Sequence, residues 1–268
     1  MLDKLIHRWL RIPYTLEVRY LRRPKKARAT LLFLHGLGNT GAAWDEVIAK
    51  MPADVRIISI DLLGFGNSPS PSWAVYNAKT QARSVLATLV KLRIVGPLIV
   101  VGHSMGSLVA IDMALRYPIL ISQLILCSPP LYGSEAQRLP RSDKLLRQLF
   151  RIAEQNPDRF LQLAAFAMRY KLVNQTFNVT NDNVDSYMAA LSAMIINQTS
   201  LYDAYGLHVP TTIIRGTLDP FVVAKNLARL ATANTNITIQ RIIAGHEVKG
   251  MFVRAVSKTI LRQLPPTE

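Results

Sequence analysis

The period of the hydrophobic pattern changes along this chain. Leu2, Leu5, Ile6, Trp9 and Leu10 recur at helical spacing, with Lys4, Arg8 and Arg11 between them and Pro13 closing the run. That spacing predicts a short, basic, amphipathic helix. Tyr14 to Tyr20 then alternates with period two, as an edge or half-buried strand does. From Thr30 onward the apolar positions gather into short continuous runs: Leu31–Leu34, Val55–Ile60, Leu98–Val101, Leu124–Cys127 and Thr211–Ile214, with Ile237–Ile243 as a further candidate. Such runs, each followed by a turn and a helical pattern, predict parallel strands buried on both faces. The intervening helices are expected at about 42–51, 77–92, 105–117, 221–231 and 249–263.

This alternation is interrupted between Pro129-Pro130 and Pro210, where the periodicity is helical throughout. Leu145, Leu146, Leu149 and Ile152 follow i, i+3, i+4, i+7 spacing, as do Tyr187, Ala190, Leu191 and Met194. An all-helical insertion in a βα-repeating chain predicts two units: an α/β core of residues 1–130 and 206–268, and a helical lid of residues 131–205. Phe150, Phe160, Phe166, Met168, Tyr170, Phe177, Tyr187, Met188 and Met194 in that segment are candidates to line an acyl pocket. Aromatic stripes at helical spacing are more often packing, so most of these are expected in the lid's own core.

Composition narrows the class. The chain has 268 residues, 50% hydrophobic and 18% charged, which excludes a disordered or collagen-like protein. A single cysteine, Cys127, excludes a disulfide framework and sits in an apolar run as a small core residue. No apolar run has the length of a membrane span and no signal peptide opens the sequence, so a soluble, cytoplasmic protein is expected. The charge is the unusual quantity, at +15, and it is unevenly placed. Residues 1–28 hold nine Lys and Arg against two acids, whereas residues 29–205 are nearly balanced. A basic excess of this kind serves nucleic acid, an anionic membrane or solubility alone.

Two motifs compete for the chemistry. Gly36-Leu37-Gly38-Asn39-Thr40-Gly41 matches G-x-G-x-x-G after a strand and before a helix, and Asp61 ends the next strand. That is the context of a dinucleotide-binding loop. Gly102-His103-Ser104-Met105-Gly106 matches G-x-S-x-G between a strand and a helix. A serine on so sharp a turn needs very small neighbours two residues to either side, and Gly102 and Gly106 meet that demand. The dinucleotide reading leaves the serine motif unexplained and is the weaker of the two.

A serine hydroxyl needs a base, and the base needs an orienting carboxylate. With the order Ser, acid, His, elimination leaves one histidine. His7, His35 and His103 precede or adjoin the serine, and His208 lies just before a strand, at the wrong end of the sheet. His246 follows the last strand, and Asp219 follows the strand before it, although Asp219-Pro220 is also a common turn opener. Ser104, Asp219 and His246 thus stand at the carboxyl ends of three strands, where open α/β sheets bind ligands. The tetrahedral oxyanion requires two amides. One is expected from Met105, after the serine, and the other from Leu37 in the loop His35–Gly38.

His35-Gly36-Leu37-Gly38, Asp61-Leu62-Leu63-Gly64-Phe65-Gly66-Asn67-Ser68, Gly102-His103-Ser104-Met105-Gly106, Gly216-Thr217-Leu218-Asp219 and Gly245-His246 together resemble the α/β-hydrolase superfamily, in its lid-bearing, esterase-like branch. The resemblance covers roughly residues 30–260. It implies a mostly parallel sheet flanked by helices, with the lid inserted after the sixth strand. It also implies Ser104 as nucleophile, Asp219 as acid and His246 as base, with Asp61 structural and His35 and His103 orienting loops. The expected activity is cleavage of carboxylic esters of small to medium hydrophobic substrates through an acyl-enzyme. Carbon–carbon hydrolysis, thioester or lactone cleavage, and a non-catalytic receptor on the same fold are the alternatives. No cofactor, metal or nucleic acid is called for; the expected partner is a small-molecule ester. The basic first helix either packs on the body or touches an anionic membrane surface.

Overall fold

The structure, a computed structural model, describes residues 2–133, 151–152, 155–156, 162 and 183–266. Seven strands form one sheet: β1 (Val18–Arg22), β2 (Ala29–Leu34), β3 (Val55–Ile60), β4 (Leu98–His103), β5 (Ile121–Cys127), β6 (Thr211–Gly216) and β7 (Ile237–Ile242). Their order is β1-β3-β2-β4-β5-β6-β7, with β1 antiparallel to β3 and every other pairing parallel.

The apolar runs form these strands because both faces of the sheet are covered. Leu32, Leu34, Leu98, Val100, Leu124 and Leu126 point to one layer, and Leu31, Phe33, Ile99, Val101, Ile125 and Cys127 to the other. The first layer is closed by α2 (Ala78–Lys91), α3 (Met105–Arg116) and α6 (Ala224–Ala233). The second is closed by α1 (Asp45–Ile48) with the turn Gly41–Trp44 before it, and by α7 (Met251–Gln263). Two-sided burial removes the polar alternation of a solvated sheet, which is why the strands read as uninterrupted runs. Cys127 is a buried core residue as expected, and burial pushes its thiol well above the usual range.

The N-terminal region departs from expectation. Pairing of the first strand starts at Val18, four residues after Tyr14. The Leu16 amide donates to Thr88 Oγ1 at 2.8 Å and the Glu17 amide to Ser68 Oγ at 2.9 Å. Side chains of the body thus take the donors that a ladder would use. One antiparallel strand precedes β2, so five described strands, rather than six, come before residues 131–205.

Within that segment the described part is helical: α4 (Val184–Leu191), a turn Ser192–Ile196, and α5 (Ser200–Tyr205). Leu201 and Ala204 of α5 are buried in the same layer as α3. Phe150, Phe160, Phe166, Met168, Tyr170 and Phe177 lie outside the described residues. No described helix is long and apolar enough to cross a membrane.

Candidate active site

The sheet order reverses direction at β2, with β3 on one side and β4 on the other. The crevice between the carboxyl ends of β2 and β4 is therefore the switch point of the sheet, where ligands of open α/β folds bind. Both candidate motifs leave the sheet there. His35–Gly38 follows β2, and Ser104 follows β4.

Ser104 is held on a strained turn. Its φ of 49° and ψ of −116° lie outside the regions that non-glycine residues favour. Its amide donates to Cys127 O, and its carbonyl accepts from the Ser107 amide, both at 2.9 Å. The two flanking glycines are obligatory for a steric reason. A Cβ on Gly102 would sit 2.5 Å from Gly106 O, and one on Gly106 would sit 2.3 Å from Leu34 O. Both obstacles are backbone and have no side-chain freedom to yield. The Ser107 hydroxyl donates to Gly102 O at 2.9 Å, tying the start of α3 to the end of β4.

Asp219 and His246 arrive on the loops after β6 and β7, which are fastened together. The Leu218 amide donates to Ala244 O at 3.0 Å, and a Cβ on Gly216 would meet the same oxygen at 2.2 Å. His246 Nδ1 lies 2.9 Å from Asp219 Oδ2, and its Nε2 lies 3.0 Å from Ser104 Oγ. The Phe221 amide donates to the second carboxylate oxygen, Oδ1, at 2.9 Å. Burial alone would raise the Asp219 carboxyl. The His246 hydrogen bond and charge outweigh it, helped by the Phe221 amide and by Ser128, whose hydroxyl lies close without meeting strict hydrogen-bond geometry. The net result is a carboxyl below its ordinary range. An ionised Asp219 accepts from Nδ1–H, which leaves the Nε2 lone pair facing the serine hydroxyl.

The other histidines have different surroundings. His103 is buried, and its Nε2–H donates to His246 O at 2.9 Å. Burial, then the neighbouring His246, pushes its ring down to about 3, so it is neutral. His35 is also buried. It accepts from the Leu62 amide at Nε2 and donates from Nδ1 to Gly36 O, both at 2.8 Å, and burial lowers it to about 4. His208 is exposed before β6, at the other edge of the sheet.

The glycine-rich loop is committed to the fold. The Gly41 amide donates to Asp61 Oδ1 at 2.7 Å, and Asp61 Oδ2 accepts from the Asn67 amide at 3.0 Å. The carboxylate that would read a ribose is thus occupied in bracing two loops. At the front of the same loop Gly36 approaches the serine so closely that a Cβ on it would fall 3.3 Å from Ser104 Cβ. Leu37 lines the cleft beside the serine, and Met105 is the first residue of α3, whose amide has no intrahelical acceptor.

Over Ser104 opens a cavity of about 150 Å³, lined among others by Leu37, Pro130, Tyr132, Tyr187, Leu191 and Phe221. Of the residues of segment 131–205 singled out in the sequence, Tyr187 lines this cavity, whereas Met194 is buried in the main core. Tyr132, Phe221 and Glu247 were not anticipated. Phe221 packs edge-on to the His246 ring with centroids 4.9 Å apart. Glu247 lines the cavity, its carboxyl raised by burial and its Oε2 without a hydrogen-bond partner among the described residues. Their signal was position alone: each lies within a few residues of a strand's carboxyl end.

A profile of the alpha/beta hydrolase fold matches residues 29–249. The chain belongs to this family. Among curated relatives, it is 31% identical over 113 residues to the probable lysophospholipase BODYGUARD 2 of Arabidopsis thaliana, covering 40% of this chain and 24% of that one. It is 36% identical over 101 residues to lipase LipV of Mycobacterium tuberculosis, covering 38% and 37%. The alignments to the plant relatives thus span about a quarter of their length. Among solved structures, the hydrolase fold superposes on the enol-lactonase of Burkholderia xenovorans LB400 with a TM-score of 0.76 at 21% identity, covering 92% and 95% of the two chains. An esterase from Exiguobacterium antarcticum gives 0.77 at 15% identity, covering 94% and 99%. These two likenesses are likenesses of fold.

Proposed function

We propose that this hydrolase-fold protein is a serine esterase that cleaves carboxylic esters through an acyl-enzyme, with residues 131–205 serving as its lid. The observation that carries the reading is the hydrogen-bonded line Asp219–His246–Ser104, ending on a strained serine at the mouth of an apolar cavity. Ser104 Oγ attacks the ester carbonyl while His246 Nε2 takes its proton. Asp219 holds the imidazole in the productive tautomer and stabilises its charged form. The Leu37 and Met105 amides receive the oxyanion, each donor contributing about 2.7–4 kcal/mol to the transition state. His246 then gives the proton to the departing alcohol oxygen as the carbonyl re-forms. A water molecule, deprotonated by the same nitrogen, attacks the acyl-enzyme; the carboxylic acid leaves and the Ser104 proton is restored.

A cavity of roughly 150 Å³ holds a group about the size of benzene. That size favours a short acyl or small aryl part. The test is hydrolysis of a p-nitrophenyl ester series from acetate upward, with labelling of Ser104 by a fluorophosphonate. The expected result is turnover that is highest on short chains and lost, with the label, in Ser104→Ala. Labelling without ester turnover would move the reading to a thioester, lactone or carbon–carbon bond. Neither labelling nor turnover would make the fold a receptor.

A further inference from the structure

The first residues of the chain are turned inside out. A helical turn that packs on a globular body faces its apolar side chains inward. Along Lys4–Trp9 no residue is buried. Leu2, Leu5, Trp9, Leu10 and Ile12 are all exposed, Trp9 at 79%. The turn is nevertheless anchored, and by its polar side. Tyr14 donates its hydroxyl to Asp3 Oδ2 at 2.8 Å and stacks on His7 with ring centroids 3.6 Å apart. His7 Nδ1 donates to Ile12 O at 2.7 Å, and the Arg83 guanidinium donates to Arg11 O at 2.9 Å. The anchor uses Asp3, His7 and Tyr14 and leaves the apolar side chains outward.

Between this turn and the start of α2 runs a groove of about 540 Å³, lined by Arg8, Arg11, Lys79 and Arg83 together with Trp73 and Val75. Val75 is itself exposed. The groove includes Leu63 from the loop after β3, so it opens on the same edge of the sheet as Ser104. Tyr76, next to Val75, bonds Ser186 Oγ at 3.0 Å, one residue from the cleft-lining Tyr187.

We propose that this face docks on an anionic lipid bilayer. Leu5, Trp9 and Leu10 enter the headgroup boundary, and Arg8, Arg11, Lys79 and Arg83 meet the lipid phosphates. Exposed apolar residues beside basic ones are the combination that holds interfacial helices, burial and charge acting together. Two other occupants fit less well. A second copy would set +15 against +15, with the same nine cations of residues 1–28 in each partner. Nucleic acid would engage the cations but leave the apolar side chains in water. The inference is independent of what the cleft cleaves, because docking is read by binding.

The test is co-sedimentation of the full chain with vesicles of phosphatidylcholine alone and of an equal mixture with phosphatidylglycerol. Binding is expected to the mixed vesicles only, weakened by salt and accompanied by a blue shift in fluorescence that disappears in Trp9→Phe. The pairs Leu5→Ala with Trp9→Ala, and Arg8→Glu with Arg11→Glu, are each expected to lower vesicle affinity about tenfold or more. These side chains are exposed, so circular dichroism and the rate on p-nitrophenyl esters should stay at wild-type levels. No binding to mixed vesicles at low salt overturns the proposal, as does binding that both pairs leave intact. Binding to duplex DNA in preference to vesicles, or a dimer abolished by the Leu5/Trp9 pair without vesicle binding, also overturns it.

Discussion

His103 Nε2 donates to the backbone carbonyl of His246 across 2.9 Å, so the residue before the serine fixes the peptide that carries the imidazole. The two rings lie 5.0 Å apart, and the neutral state of His103 keeps a second positive charge away from a protonated His246. His103 acts here as a positioning residue. His103→Leu removes the donor while keeping an apolar side chain in the buried site. Loss of about 1 Å of alignment costs on the order of a hundredfold in rate. The expected outcome is a kcat on short esters reduced ten- to a hundredfold, with KM little changed and fluorophosphonate labelling slowed in proportion. A wild-type kcat would show that the histidine loop is held without this bond.

Asp219→Asn tests the other side of the same imidazole. The substitution preserves size but offers an amide where the carboxylate accepts from Nδ1, which favours the wrong tautomer. In serine hydrolases built on this triad such a change lowers kcat by about 10⁴. The same order of loss is expected here, with Ser104, His246 and the fold in place by circular dichroism. Activity within tenfold of wild type would move the acid's role to another residue, for which Glu247, a carboxylate that lines the cleft, is the candidate.

Gly106→Ala isolates the steric requirement of the turn. Its added Cβ would fall 2.3 Å from Leu34 O and 2.6 Å from His35 O, both backbone atoms of the β2 end. Relief demands that α3 or β2 move, and overpacking of this kind costs typically about 1–3 kcal/mol. A lowered urea midpoint is expected together with lost activity, because the shift separates Ser104 from the loop of Leu37. An alanine variant as stable as wild type would contradict the packing described.

Which parts of this molecule were legible in its sequence follows from where order is enforced. Strands β2 to β6 are covered on both faces, so burial wrote them as continuous apolar runs. The serine turn was legible because its crowding admits only Gly102 and Gly106, and His246 because it is the one histidine that both follows the serine in the chain and stands at that edge. What was hidden depended on tertiary partners. Tyr14 to Glu17 alternates like a strand, yet Thr88 and Ser68 take its amides. The first helical turn has an amphipathic spacing that normally marks packing, and its outward orientation comes from Asp3, His7 and Tyr14. The cavity wall draws on Pro130, Tyr132 and Phe221 from loops, where no periodicity marks them.

The buried imidazoles of His35 and His103 predict an acid limit to stability. Both are fully buried and neutral in the folded chain, at about 4 and about 3, against an ordinary value of 6.5. The unfolded chain therefore binds more protons than the native one below pH 6.5. Stability is unaffected by these groups above about pH 7 and falls as pH drops from 6.5 towards 4, by about 3 kcal/mol for each ring. Urea midpoints measured between pH 8 and 4 should show this decline. His103→Gln should remove roughly half of it, since a glutamine has no proton to gain while His35 still does. A decline of the same steepness in that variant would assign the acid loss to other groups.

Glu247 carries a pH dependence of the opposite sign. Burial raises its carboxyl, while Lys249 and a charged His246 draw it down only in part, and Oε2 lacks a partner among the described residues. A carboxyl whose folded value exceeds its unfolded one is better protonated in the native chain. Its stabilising effect is present below the unfolded value and is lost as pH rises through the folded one. Above its raised folded value the native chain holds a charge with unsatisfied hydrogen-bonding capacity, which is destabilising. Glu247→Gln replaces it with a neutral group of the same shape. A higher Tm than wild type is expected at pH 8, with the difference shrinking or reversing at pH 4. Equal melting temperatures at both pH values would mean that solvent in the cleft already satisfies this carboxylate.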